Sequence, residues 1–169
     1  MAPDHYYKMI KFTKGNILKA NVEALVNAVN TVGVMGKGIA LAFKKAFPLN
    51  YKLYKEVCNN KEFTVGSMFT TNTGKLTPRY IINFPTKEHW KGRSKIEFIE
   101  SGMKKLIETI KTNDIKSIAI PPLGCGNGGL KWSDVKPIII NELQNIDIDI
   151  IIYEPGFNDQ IVPLKKKLH

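Results

Sequence analysis

Two glycine loops, each entered by an apolar run and left by a helix-forming segment, constrain this chain more than any other feature. The first follows Ala24-Leu25-Val26 and Ala28-Val29 and carries Gly33, Gly36 and Gly38; Ile39, Leu41, Ala42 and Phe43 then open a helix. The second, Leu123-Gly-Cys-Gly-Asn-Gly-Gly-Leu130, follows the apolar Ile118-Ala-Ile120 and precedes Trp132-Ser133-Asp134 at the start of another helix. Strand, glycine loop, helix is the order that turns backbone N–H groups and a helix N-terminus toward an anion. A phosphate can then approach main chain that carries no Cβ. For the first loop taken alone, an empty strand-to-helix turn is an equal alternative.

Two common nucleotide motifs are excluded. The dinucleotide fingerprint is G-x-G-x-x-G, whereas residues 33–38 read G-x-x-G-x-G. The P-loop needs a hydroxyl residue after Gly-Lys to hold magnesium, and Gly36-Lys37 is followed by Gly38.

Around the loops, periodicity predicts strands at 8–13, 23–29, 66–72, 79–84, 117–122 and 148–153. Pro85 is expected to stop the fourth. Helices are expected from Gly38 to Phe47, where Pro48 ends the first; over 49–59, with Leu49, Leu53, Tyr54 and Val57 on one face; over 94–112; and from Trp132 to about Asn145. In the third, Ile96, Ile99, Met103, Leu106, Ile107 and Ile110 form one stripe. Ser94 and Glu97 read as its capping box. Lys14-Gly15-Asn16 is a turn. Several strands are apolar enough to be covered on both faces, which predicts a three-layer α/β/α domain with a mixed, mostly parallel sheet. Ligands bind such sheets outside the carboxyl ends of the strands, where both glycine loops should meet. Two facing loops suit a diphosphate. The domain is expected to span 1–156, with 157–169 a loosely attached tail ending in Lys165-Lys-Lys167.

The 169 residues fit one domain, and 25 Lys and Arg against 15 acids give a net charge of +10. That balance favours a polyanionic partner or, more simply, a lysine-rich solvated surface. No apolar run approaches a membrane span, and the N-terminus lacks a secretion signal, so a cytoplasmic protein is expected. Cys58 and Cys125 fall in no metal-ligand or CxxC spacing, and no metal cluster is readable. Cys125 reads as a small loop residue before it reads as a nucleophile.

The richest chemistry lies in Phe84-Pro-Thr-Lys-Glu-His-Trp-Lys-Gly-Arg-Ser94. A lysine at a cleft, here Lys87, can lose its proton through desolvation or a neighbouring cation and attack a sugar C1. In a chain this rich in lysine, a solvated Lys87 is the plain alternative. His89, Trp90, Lys91 and Arg93 form a basic aromatic group of the kind that stacks bases and holds phosphates. Trp90 covering the start of the next helix is an equal alternative.

Four motifs in order, namely Asn27…Asn30, Gly33-Val-Met-Gly-Lys-Gly-Ile-Ala…Phe43-Lys-Lys…Phe47-Pro, Phe84-Pro-Thr-Lys…Trp90 and Pro122-Leu-Gly-Cys-Gly-Asn-Gly-Gly-Leu…Trp132, resemble a macrodomain across residues 9–155. More narrowly they resemble the branch of the DNA ADP-ribosyl glycohydrolase antitoxins (DarG-type) and a related protein glutamate-ADP-ribose hydrolase. The resemblance implies ADP-ribose binding, with Asn16 and Ile17 on the adenine side and Asn30 facing the distal ribose. Gly33, Val34, Met35, Gly36 and Gly38, with Pro122, Leu123, Gly124, Cys125, Gly126, Asn127, Gly128 and Gly129, would enclose the diphosphate and that ribose. Lys87 matches the branch's catalytic lysine. The implied activity is removal of ADP-ribose from a DNA base in a thymidine-type linkage, without cofactor or metal, by a monomer that has a DNA-modifying toxin as possible partner. Hydrolysis of protein ADP-ribosyl-glutamate or O-acetyl-ADP-ribose, or binding without turnover, are the alternatives. Gly128 stands where the protein hydrolase has a helping aspartate, and Asn16 where many macrodomains have Asp. Both choices are antitoxin-like, and they leave His89 as a weak candidate for acid–base help.

Overall fold

The computed structural model describes residues 10–156. Six strands among them form one sheet: β1 Ile10–Thr13, β2 Ala24–Asn30, β3 Phe69–Asn72, β4 Tyr80–Lys87, β5 Ser117–Ile120 and β6 Asp149–Tyr153, in the order β1-β6-β5-β2-β4-β3. Every neighbouring pair is parallel except β3 with β4. Four helices cover it: α1 Gly38–Ala46, α2 Pro48–Asn59, α3 Ile96–Thr112 and α4 Trp132–Leu143.

Strand alternation sorts the side chains into two cores. Ala24 and Val26 of β2, with Ile82 and Phe84 of β4, meet Ile99, Met103 and Leu106 of α3 and Val135 and Ile139 of α4. On the opposite face, Leu25 and Ile81 meet Phe43 of α1, and Val29 meets Tyr54 and Cys58 of α2. This is the expected three-layer α/β/α arrangement, and each fully buried large apolar side chain contributes about 1.5–3 kcal/mol. Gly102 lets α3 lie close to the sheet, because a Cβ there would fall 2.3 Å from the Phe84 ring.

Three local expectations give way to tertiary context. Strand β4 runs through Pro85 to Lys87. Its neighbour β3 reaches no further than Asn83, so the N–H that Pro85 lacks leaves no ladder bond unmade on that side. Ser94 does not cap α3, which starts at Ile96 with Lys95 at its N-cap; the Ser94 hydroxyl donates instead to Thr86 O. Finally, α2 buries Asn50, Tyr54 and Cys58, while Leu49 is exposed. The reason is a buried amide network that takes Asn50 inward. Asn27 and Asn83 are opposed in register; Asn27 Nδ2 donates to Asn83 Oδ1 at 3.2 Å, Asn83 Nδ2 to Asn50 Oδ1 at 2.9 Å, and Thr71 Oγ1 to the same Asn50 oxygen at 2.7 Å. The expected tail at 157–169, and residues 8 and 9 of the first expected strand, lie outside the described residues.

Candidate functional site

The parallel strands β2, β4 and β5 all deliver their carboxyl ends to one edge of the sheet, and the segments that leave them enclose a cleft of about 540 Å³. That is within the ordinary size range of ligand sites. From the first loop the lining takes Asn30, Val34, Gly36, Lys37 and Gly38; from β4 and beyond, Thr86, Lys87 and Trp90. From the second loop it takes Pro122, Gly124, Cys125, Gly126, Asn127 and Gly128.

Asn30 builds the first loop. Its Oδ1 accepts from the N–H of Val32 and Gly33 at 3.1 Å and of Val34 at 3.3 Å, and its Nδ2 donates to Val34 O at 2.7 Å. Buried Tyr54 shares its hydroxyl between Asn30 O at 2.8 Å and Asn30 Oδ1 at 2.9 Å. Burial pushes the Tyr54 phenol pKa far up, so it stays protonated and donates. Beyond this loop the chain enters α1 at Gly38, whose φ of +55° a side chain would strain, and the site of a Cβ there lies 3.5 Å from Asn127 Nδ2. The two glycine loops therefore approach each other across the cleft.

Lys87 arrives by a bulge. Val29 opposes Pro85, yet Asn30 opposes Lys87, so Thr86 is the extra residue. Bulges re-aim side chains in this way. Lys87 Nζ donates to Trp90 O at 3.1 Å. Desolvation, and then the positive charge of Lys37, lower its pKa below the ordinary 10.5. The turn after it is tied down on both sides. Thr31 Oγ1 donates to Glu88 O at 2.8 Å, Ser94 N–H to Gly128 O at 2.9 Å, and Arg93 Nη2 to Gly129 O at 3.4 Å.

The remaining expected residues are placed differently. His89 stacks on Trp90 with centroids 5.5 Å apart, and the Lys91 ammonium lies 5.0 Å from the Trp90 ring. Both sit on the exposed rim, whereas Arg93 turns toward the second loop. Asn16 accepts from Leu18 N–H at 3.0 Å to cap the short 3-10 turn Ile17–Lys19, and Ile17 is buried with Leu25 and Phe43; neither lines the cleft. Met35 and Leu123 are buried in the cores, and Gly33 and Gly129 do not line the cleft. Cys125 lines the cleft, but burial pushes its thiol up to about 11, which keeps it protonated and a poor nucleophile. Ala28, Val29, Lys37, Ile39, Ala40, Thr86 and Pro121 line the cleft without having been singled out from sequence. For Lys37 and Thr86 the signal was present, since they adjoin Gly36 and Lys87. Among the described residues no group of three His, Cys, Asp or Glu is placed to hold a metal ion.

Residues 26–139 match the Macro domain family. The chain belongs to the macrodomain family. This macrodomain is 50% identical over 164 residues to the DNA ADP-ribosyl glycohydrolase of Thermus aquaticus, covering 94% of this chain and 46% of that protein. It thus spans about half the length of the curated relatives it matches. The macrodomain of Mycobacterium tuberculosis DarG superposes with a TM-score of 0.86 at 49% identity, covering 88% of this chain and 99% of that one. Thermosipho africanus DarTG in complex with ADP-ribose gives a TM-score of 0.83 at 36% identity, covering 89% of this chain and 42% of that one. The Thermosipho africanus sequence is described as a DNA ADP-ribosyl transferase–DNA ADP-ribosyl glycohydrolase fusion protein; it is 38% identical over 162 residues, covering 86% of this chain and 42% of that protein. No helix among the described residues of the macrodomain is long and apolar enough to cross a membrane.

Proposed function

We propose that this macrodomain binds ADP-ribose in the cleft and removes it from a modified DNA base. The observation that carries the reading is Lys87, set by the Thr86 bulge opposite Asn30 inside a cleft walled by both glycine loops. The 50% identity to a DNA ADP-ribosyl glycohydrolase supports the substrate class. The loops supply N–H groups to the diphosphate and the distal ribose, and the second N–H of Asn30 Nδ2 serves that ribose. Lys87, whose ammonium form desolvation and then the Lys37 charge disfavour, attacks the anomeric carbon as the amine. The bond to the base breaks with its electron pair going to the base, which takes up the proton lost from the lysine nitrogen. Water then displaces the lysine from the anomeric carbon and restores the amine, releasing free ADP-ribose. The transferase–glycohydrolase fusion in Thermosipho africanus favours a DNA ADP-ribosyl transferase as partner. The full-length relatives are longer than this chain, and residues 1–156 are taken as the unit that performs the reaction.

The test incubates ADP-ribosylated single-stranded DNA with the protein and with Lys87→Ala. Release of ADP-ribose by the wild type and its loss in the variant are expected. If the wild type leaves the DNA intact but cleaves ADP-ribosyl-glutamate or O-acetyl-ADP-ribose, the substrate assignment falls. ADP-ribose binding with no turnover of any conjugate makes the protein a reader.

A further inference from the structure

Three large hydrophobic side chains that the fold leaves exposed lie on the segments that bound the cleft: Val32 at 41%, Val34 at 37% and Trp90 at 42% exposure. Val34 and Trp90 line the cleft together with Lys87. Val32 follows Thr31, whose hydroxyl and N–H both donate to Glu88 O, two residues before Trp90. Isolated exposed hydrophobics are ordinary; a group of them at the mouth of a cleft marks a recognition surface.

The backbone that presents these side chains is fixed. Asn30 Oδ1 holds the N–H of both valines, and the Glu88 carbonyl two residues before Trp90 is held by Thr31, independently of Lys87. His89 stacks against the indole at 29° between planes. Lys91, exposed, sits 5.0 Å from the same ring, where a phosphate can draw its ammonium away. A rigid aromatic plane flanked by methyl groups and a cation suits a flat, hydrophobic, phosphate-linked group. A carboxylate leaving group gains nothing from it.

The geometry points to a nucleobase shelf: Trp90, Val32 and Val34 hold the base from which Lys87 separates the ribose, so the site selects an aromatic leaving group over a carboxylate. The inference rests on the cleft being the ADP-ribose site and extends that reading to the far side of the bond.

The test measures affinity in the Lys87→Ala protein, which keeps the ligands intact. Free ADP-ribose and ADP-ribosylated thymidine are titrated calorimetrically, and the ratio of their Kd values is read. Base–aromatic stacking is worth roughly 5- to 150-fold in affinity, so ADP-ribosyl-thymidine is expected to bind tighter by about that factor. The gain should vanish in Lys87→Ala/Trp90→Ala, survive largely in Lys87→Ala/Trp90→Phe, and change little between low and high salt. A ratio near one in Lys87→Ala, or a gain that Trp90→Ala leaves intact, overturns the shelf. A general disturbance of the cleft by the Trp90 change weakens both ligands alike and leaves the ratio unmoved. The turnover assay above reports separately on catalysis, and a Trp90-dependent gain without cleavage of modified DNA keeps the shelf while the glycohydrolase reading falls.

Discussion

Lys87 stands opposite Asn30 across the β2–β4 ladder, where a regular register would place Thr86. The bulge thereby brings the lysine level with the residue that folds the first glycine loop. Lys87→Ala is expected to lower the rate of ADP-ribose removal by about 10²-fold or more, the scale of losing a group that acts at the reacting bond. Affinity for free ADP-ribose should change little if the loops supply the diphosphate contacts as proposed. Single-turnover assays and calorimetry check the two halves. Equal losses in both would mean that Lys87 is a binding residue only.

The charge pairing across the cleft sets a pH dependence. A like charge at Lys37, second to desolvation, disfavours the ammonium form of Lys87 and lowers its pKa from 10.5. If Lys87 attacks as the neutral amine, the rate should rise with pH and level off above an apparent pKa lower than 10.5. Replacing Lys37 by Met removes the repulsion, raises the Lys87 pKa and shifts the rising limb to higher pH. At a fixed pH below the limb's midpoint, the variant should be slower. A pH–rate profile of both proteins decides this; superimposable limbs would remove Lys37 from the account.

Tyr54 reports on the scaffold beneath the site. Its buried hydroxyl bonds to Asn30, which in turn holds three loop amides. Tyr54→Phe should destabilise the protein by about 1–2 kcal/mol and weaken ADP-ribose binding without touching the ligand. Thermal unfolding and calorimetry measure the two effects, and a variant as stable as the wild type would show that water replaces the bond.

Packing of α3 gives a harsher test. Gly102→Ala puts a methyl within 2.3 Å of the fully buried Phe84 ring, so the ring or the helix must shift. A loss of about 1–3 kcal/mol is expected from denaturant unfolding. The double variant Gly102→Ala/Phe84→Leu should recover part of it.

Salt separates the DNA from the ADP-ribose. If the net charge of +10 serves a polyanion, affinity for an ADP-ribosylated oligonucleotide should fall steeply between about 50 and 200 mM salt, and affinity for ADP-ribose only slightly. Parallel slopes would confine recognition to the cleft.

Much of the fold was legible because it is written in local patterns. The stripe on α3, the apolar strands and the glycines after β2 and β5 each carry their own period or steric requirement, and they yield the three layers and the facing loops. Asn50 shows where such reading stops. On α2 it stands outside the stripe of Leu49, Leu53, Tyr54 and Val57, yet Asn83 and Thr71, brought by strands, satisfy its amide and bury it. Ser94 likewise has the spacing of a helix cap, but the Thr86 carbonyl competes for its hydroxyl and wins.

The amino-acid order alone determined the chemistry on offer: two amide-bearing loops, one lysine after Phe-Pro-Thr, and an aromatic residue three positions on. Those follow from residue type and spacing, which need no partner. Only the tertiary structure decided the alignment. The Thr86 bulge opposite Asn30, the Tyr54 hydroxyl on Asn30, the Lys37 charge near Lys87 and the placing of Val34 and Trp90 on one cleft all join segments far apart in the chain. Register and distance across a sheet are set by which strands pair, and no single segment carries that information.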